Sequence, residues 1–157
     1  MIRDKEAEKL ESRLASRTPR LGRNADQARL ENVAPVLGFD AVEHYENAEP
    51  FVALYRDSVE LVVVQAARGR VESNYERYGA GYDAYLDPED IAGVDLIYEE
   101  LCEKGARIAA APATTPYGSY EFVLEDVDGR RIGIGRVKDE GVFFKRKPSW
   151  SRSSGAF

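Results

Sequence analysis

The chain has 157 residues, of which 43% are hydrophobic and 32% charged, with a net charge of −6. That length suits one compact domain or two small fused modules, and the composition is that of an ordinary soluble globular protein. The acidic balance disfavours non-specific nucleic-acid binding, which rests on many Lys/Arg–phosphate contacts, and the longest apolar run, Leu61-Val62-Val63-Val64, is far too short to span a membrane.

The N-terminus, Met-Ile-Arg-Asp-Lys-Glu, is charged where a signal peptide would be apolar, so a cytoplasmic location is the expectation. Residues 3–16 place Ala7, Leu10 and Leu14 on one face, which predicts a short amphipathic helix or arm. Residues 17–23 contain a proline and read as an edge strand. Asn24 with Gln27 three residues later resembles a capping box, predicting a helix over 25–36 that Pro35 and Gly38 end. Strands are expected at 41–46, 51–56 and 59–66, the last two joined by a tight Asp57-Ser58 turn. Residues 67–80 are polar and lack a clear period, so they read as a long linking loop.

The second half repeats the first in outline. Tyr82–Leu86 reads as a strand. A helix starts at Asp90 or Gly93, carries Val94, Ile97, Tyr98 and Leu101 inward, and stops at Gly105. Strands follow at 107–111, 119–126 and 130–136, with an Asp-Val-Asp-Gly turn between the last two. Each half is thus strand, helix, then three strands, an internal repeat in the order of elements. Residues 137–157 form a tail with Phe143, Phe144 and Trp150, and its basic run Lys145-Arg146-Lys147 reads as solvated.

Catalytic metals need several His, Asp, Glu or Cys ligands converging on one ion. The chain has one histidine, His44, and one cysteine, Cys102. His44 reads as a strand residue with a local partner, and Cys102 as a small core residue that excludes an intramolecular disulfide. Asp126 and Asp128 flank the Gly129 turn, and turn formation accounts for them without calcium.

Four local features carry a resemblance. They are Leu37-Gly38-Phe39 after the first helix, Val94-Asp95-Leu96-Ile97-Tyr98-Glu99-Glu100-Leu101 followed by Gly105-Ala106, Pro116-Tyr117-Gly118, and Glu125-Asp126-Val127-Asp128-Gly129. In order and spacing they resemble the vicinal oxygen chelate superfamily, which includes glyoxalase I, extradiol dioxygenases and bleomycin-resistance proteins. The pattern departs from the family at Asn32-Val33, where an aromatic pair is usual, and at Pro35.

The resemblance implies an α+β fold of two paired βαβββ modules forming a cup-shaped mixed sheet, with an extra N-terminal helix and a C-terminal tail. Residues 1–16 would be the arm, 17–136 the domain (modules 17–66 and 81–136, linking loop 67–80) and 137–157 the tail. Metal-dependent members place one ligand on each of four strands. Those places fall near Thr18–Arg20, Glu60, Tyr82 and Gly133, and only Glu60 is an acceptable ligand, so no metal and no cofactor are expected.

A two-residue turn at 57–58 pairs Tyr55 with Glu60 and Phe51 with Val64, which puts Phe51, Ala53, Tyr55, Glu60, Val62 and Val64 on one face. Val52, Leu54, Leu61 and Val63 take the other face, toward the helices. In the second half, Tyr120, Phe122, Leu124, Arg131 and Gly133 are expected to share the cup face, joined by Tyr82. The expected ligand-binding set is therefore Phe51, Tyr55, Glu60, Tyr82, Tyr120 and Phe122. Such a set predicts a metal-free small-molecule binding protein, close to the bleomycin-resistance proteins, that sequesters an aromatic or cationic ligand. A homodimer is implied, with no nucleic acid or membrane partner. The alternatives are a metal-dependent glyoxalase-like lyase, isomerase or dioxygenase, or an interaction module whose cup is filled by its own side chains.

Overall fold

The computed structural model describes residues 14–15, 20–23, 34–46, 48–65 and 70–145. Strands β1 (Leu14–Ala15) and β2 (Arg20–Arg23) open the chain, and residues 34–36 are helical. Strands β3 (Asp40–His44), β4 (Phe51–Arg56) and β5 (Val59–Gln65) complete the first module. A short helix, α1 (Asn74–Tyr78), leads to β6 (Ala84–Pro88) and helix α2 (Ile91–Glu103). Strands β7 (Arg107–Thr114), β8 (Ser119–Glu125) and β9 (Arg131–Val137) follow, then a helical turn, α3 (Glu140–Phe143). No helix among the described residues is long and apolar enough to cross a membrane.

The repeat read from the order of elements is a repeat of topology. One sheet runs β2-β5-β4-β3, and the other β1-β6-β9-β8-β7. In each, the first strand of the module lies parallel to its last (β2 with β5, β6 with β9), and the remaining pairs are antiparallel. The extra strand β1 lies antiparallel to β6, with Leu14 opposite Pro88. Leu14 was expected in an amphipathic helix. It lies instead on the edge of β6, whose backbone groups would otherwise lack a ladder partner. The remainder of that arm, the capping pair Asn24/Gln27, Thr18 and Trp150 lie outside the described residues.

Alternation decides which faces are buried. Val52, Leu54, Leu61 and Val63 are buried on the inner face of the first sheet, as expected. Phe122, Leu124, Ile132 and Ile134 form the inner face of the second, and Val94, Ile97 and Leu101 of α2 join both sets in one apolar cluster. Asp90 caps α2 by accepting the Gly93 N–H at 2.7 Å. Cys102 is exposed rather than in the core, on the flank of α2 beside the buried Leu101. Arg56 ties the modules together, donating to the Leu37 carbonyl at 2.8 Å and to Glu100 at 2.6 Å.

The linking segment is more ordered than its composition suggests. Ser73 and Glu76 form a full capping box at the start of α1, and Gly79 ends the helix in the left-handed region. The segment is anchored by the buried Arg130, paired with Asp83 at 3.6 Å, and by the Arg131 guanidinium over the Tyr75 ring at 3.3 Å. Asp83 also accepts the backbone N–H groups of Asn74 and Arg131. Ser73→Ala is expected to cost about 1 kcal/mol through loss of the cap, seen as a lower denaturation midpoint by circular dichroism.

Candidate functional site

The first-module residues fall where the two-residue turn puts them. Tyr55 pairs with Glu60 and Phe51 with Val64, and the Tyr55 hydroxyl donates to Glu60 Oε1 at 3.0 Å. Phe51 stacks on His44 with ring centroids 4.5 Å apart. This face is open: Tyr55 is 42% exposed and Val42 44%.

The second module corrects the expected set. The β8–β9 loop holds five residues, 126–130, so Glu125 pairs with Arg131 and Phe122 with Ile134. A four-residue turn would pair Phe122 with Gly133. The difference of one residue turns every side chain of a strand to its other face. Phe122 therefore has no exposed surface and meets Tyr98 of α2 edge-on, and Tyr120 donates to Asp95 of the same helix at 2.8 Å. Tyr120 and Phe122 thus lie on the helix side of the sheet, and Phe122 cannot line an open cup. Asp126 holds the five-residue loop: its carboxylate accepts the N–H groups of Asp128 and Arg130.

The outer face carries Ser119 and Glu121 of β8, Arg131, Gly133 and Gly135 of β9, and Tyr85 of β6, opposite Gly133. Glu121 is only 5% exposed. Its Oε1 accepts the hydroxyls of Tyr82, at 2.6 Å, and of Tyr117; its Oε2 accepts that of Tyr85 at 2.7 Å. Tyr85 Oη also lies 3.0 Å from Ser119 Oγ, which donates to the Arg136 carbonyl at 3.2 Å. Tyr117 comes from the tight turn before β8 and is 47% exposed, so the cluster reaches the surface through it.

Electrostatics keeps these groups in fixed states. Burial raises the Glu121 carboxyl, but hydrogen bonds from Tyr117, Tyr82, Tyr85 and Ser119 outweigh it and hold the group below the ordinary carboxylate value. Burial first, and then the bond to Glu121, push Tyr82 and Tyr117 above the ordinary phenol value. Tyr85 is raised mainly by burial. The cluster is therefore one carboxylate held by three neutral phenols at neutral pH.

Glycine makes room for it. A Cβ on Gly133 would come within 2.6 Å of the Tyr85 ring and 3.2 Å of the Tyr82 ring. The space over Gly133 is filled by the Tyr85 ring. A Cβ on Gly135 would fall on the Glu121 Cβ and within 2.6 Å of Tyr85 Oη.

Of the six expected residues, Phe51, Tyr55 and Glu60 share one outer face, Tyr82 joins Glu121 on the other, and Tyr120 and Phe122 lie inside. No hydrogen bond, ion pair or ring contact joins Tyr55 or Glu60 to the Glu121 cluster among the described residues. Tyr85, Tyr117 and Glu121 were not in the expected set. At the Gly133 place a metal finds no donor and the Tyr85 ring covers it, and no group of three or more His, Cys, Asp or Glu side chains converges among the described residues.

Neither a family model nor a curated protein matches the sequence. Solved structures do match the fold. A glyoxalase/bleomycin resistance protein/dioxygenase from Alicyclobacillus acidocaldarius superposes with a TM-score of 0.62 at 14% identity, covering 82% of this chain and 95% of its own. A glyoxalase/bleomycin resistance protein from Streptomyces sp. CB03234 gives 0.56 at 20% identity, covering 76% and 98%. A member of that superfamily from Sphaerobacter thermophilus gives 0.53 at 22% identity, covering 78% and 94%. The chain has the fold of the vicinal oxygen chelate superfamily.

Proposed function

We propose that this chain uses a glyoxalase/bleomycin-resistance fold as a binding protein, holding a small organic cation at the Glu121 cluster without a metal. The observation that carries the reading is the geometry of Glu121. A single ionised carboxylate sits on an outer sheet face, oriented by three tyrosine hydroxyls and bordered by their rings. A buried carboxylate favours a cation, and aromatic faces add to the attraction. The phenols are held in their neutral form, so the cluster keeps its single negative charge across the neutral range.

A second reading has support from one observation. The Tyr85 ring lies over Gly133, which suits a cup filled by its own side chains. The two readings differ in one experiment. Chelator-treated protein is screened by thermal shift against organic cations and neutral aromatics of matched size. A ligand at 100 times its Kd stabilises the folded state by about 2.7 kcal/mol. Under the binding reading, cations raise the melting temperature and quench tyrosine fluorescence, and Tyr82→Ala weakens both effects. A flat response to every cation favours the self-filled cup.

A further inference from the structure

A cavity of about 210 Å³ lies at the seam between the two modules and shares no residue with the Glu121 cluster. Gly105 follows α2 in the left-handed region, and Arg107 then pairs with Glu125, so the start of β7 and the end of β8 meet there. Val36 and Leu37 of the first module line the same cavity. Its floor is Leu37 and Leu124, which are 7% and 1% exposed. Val36, Ala106 and Val127 supply apolar walls. The cavity is reachable from solvent: Val127 is 48% exposed, and a Cβ on Gly105 would meet nothing within 4 Å. Leu37 and Leu124 also border a smaller void deeper in the core, so the floor is not tightly backed.

We propose that this seam pocket binds a small uncharged aromatic molecule, one ring with one or two short substituents. The charged groups at its rim are already committed. Arg107 pairs with Glu125 at 2.7 Å, and the Asp126 carboxylate accepts the N–H groups of Asp128 and Arg130. A charged ligand would lose its water on entry and meet no uncommitted opposite charge. Volume sets the size of the ligand. A dry cavity of about 150 Å³ lined by Leu, Ile and Phe holds benzene. Drug-sized ligands occupy sites of about 300 Å³ and more. A substituted benzene falls between the two, and burying its ring against Leu37, Leu124 and the apolar walls supplies the driving force.

The test is a fluorine NMR titration of the whole chain with 4-fluorotoluene and with 4-fluorobenzoate, which carries the same ring and a charge. The 4-fluorotoluene signal is expected to shift saturably, and the benzoate to bind about tenfold or more weakly. Ala106→Leu grows one wall into the pocket and should weaken 4-fluorotoluene binding by about tenfold or more. Val127→Trp gives a second variant at a half-exposed position, where folding is not at stake; it covers the mouth, and the same loss is expected. The absence of saturation with wild type overturns the proposal. So does 4-fluorotoluene binding that is unchanged in both variants, because the ring then sits elsewhere. Benzoate binding as tight as that of 4-fluorotoluene overturns the uncharged class of ligand.

Discussion

Glu121→Ala is expected to destabilise the protein by about 3 kcal/mol and to remove cation binding. The change takes away the shared acceptor of three hydroxyls while leaving the hydroxyls in place. A buried donor without a partner costs about 1–3 kcal/mol. Tyr117 can turn to water, but Tyr82 and Tyr85 are more enclosed, so the loss falls mainly on them. Chemical denaturation at neutral pH measures it. The same group gives stability a defined pH dependence. The folded-state value of Glu121 lies below its unfolded value, so its contribution is fully present above the ordinary carboxylate range and is lost as pH falls through the lowered folded value. Wild type should therefore lose stability on acidification more steeply than Glu121→Ala. Parallel curves for the two proteins would contradict the assigned role.

Gly135→Ala is expected to cost about 3 kcal/mol, at the upper end for an added methyl group in a packed site. Conformational freedom is not the reason, because the backbone here is ordinary strand. The reason is space. The new methyl would meet the Glu121 Cβ, Tyr85 Oη at 2.6 Å and the Tyr120 carbonyl oxygen at 2.7 Å. The carbonyl belongs to the β8 backbone and cannot swing aside, so the strands must separate or Glu121 must leave its place. Gly133→Ala first meets the rings of Tyr85 and Tyr82, which are side chains rather than backbone, and should cost less. Denaturation midpoints of the two variants test the order. A Gly135→Ala protein as stable as wild type would show that the Tyr85–Glu121 packing is not as described.

Much of the fold is legible in the sequence because its cues are local. Asp57-Ser58 leaves room for only one pairing, and the register of β4 with β5 follows from it. Asp90 and Gly105 bracket α2 through capping and left-handed backbone. The repeat of strand, helix and three strands carries the parallel pairing of β2 with β5 and of β6 with β9.

The candidate site was less legible, because it depends on one residue of loop length. Asp126 accepts two backbone N–H groups and draws Arg130 into the loop, which no composition rule for Asp and Gly turns reveals. A stronger signal lay in the strands themselves. Phe122 and Leu124 alternate with Glu121, Val123 and Glu125, and Ile132 and Ile134 alternate with Gly133 and Gly135, so the larger apolar side chains fall mainly on one face. Putting Phe122, Leu124, Ile132 and Ile134 on one face gives the observed register directly. The linking segment held a similar signal, since Ser73 and Glu76 have the capping-box spacing that predicts α1. Tyr82 and Tyr85 lie 39 and 36 residues before Glu121, and only the folded sheet brings them to the carboxylate that Tyr117 reaches from four residues away.

The most direct test of cation binding at Glu121 is a calorimetric titration of chelator-treated wild type and Glu121→Gln with an organic cation, N,N-dimethylbenzylamine. The amide keeps the shape of the side chain and removes its charge. Metal-stripped wild type should bind the amine saturably, and the variant about tenfold or more weakly. Equal binding to both proteins, or binding that returns only when a divalent metal is restored, would contradict metal-free cation binding at Glu121.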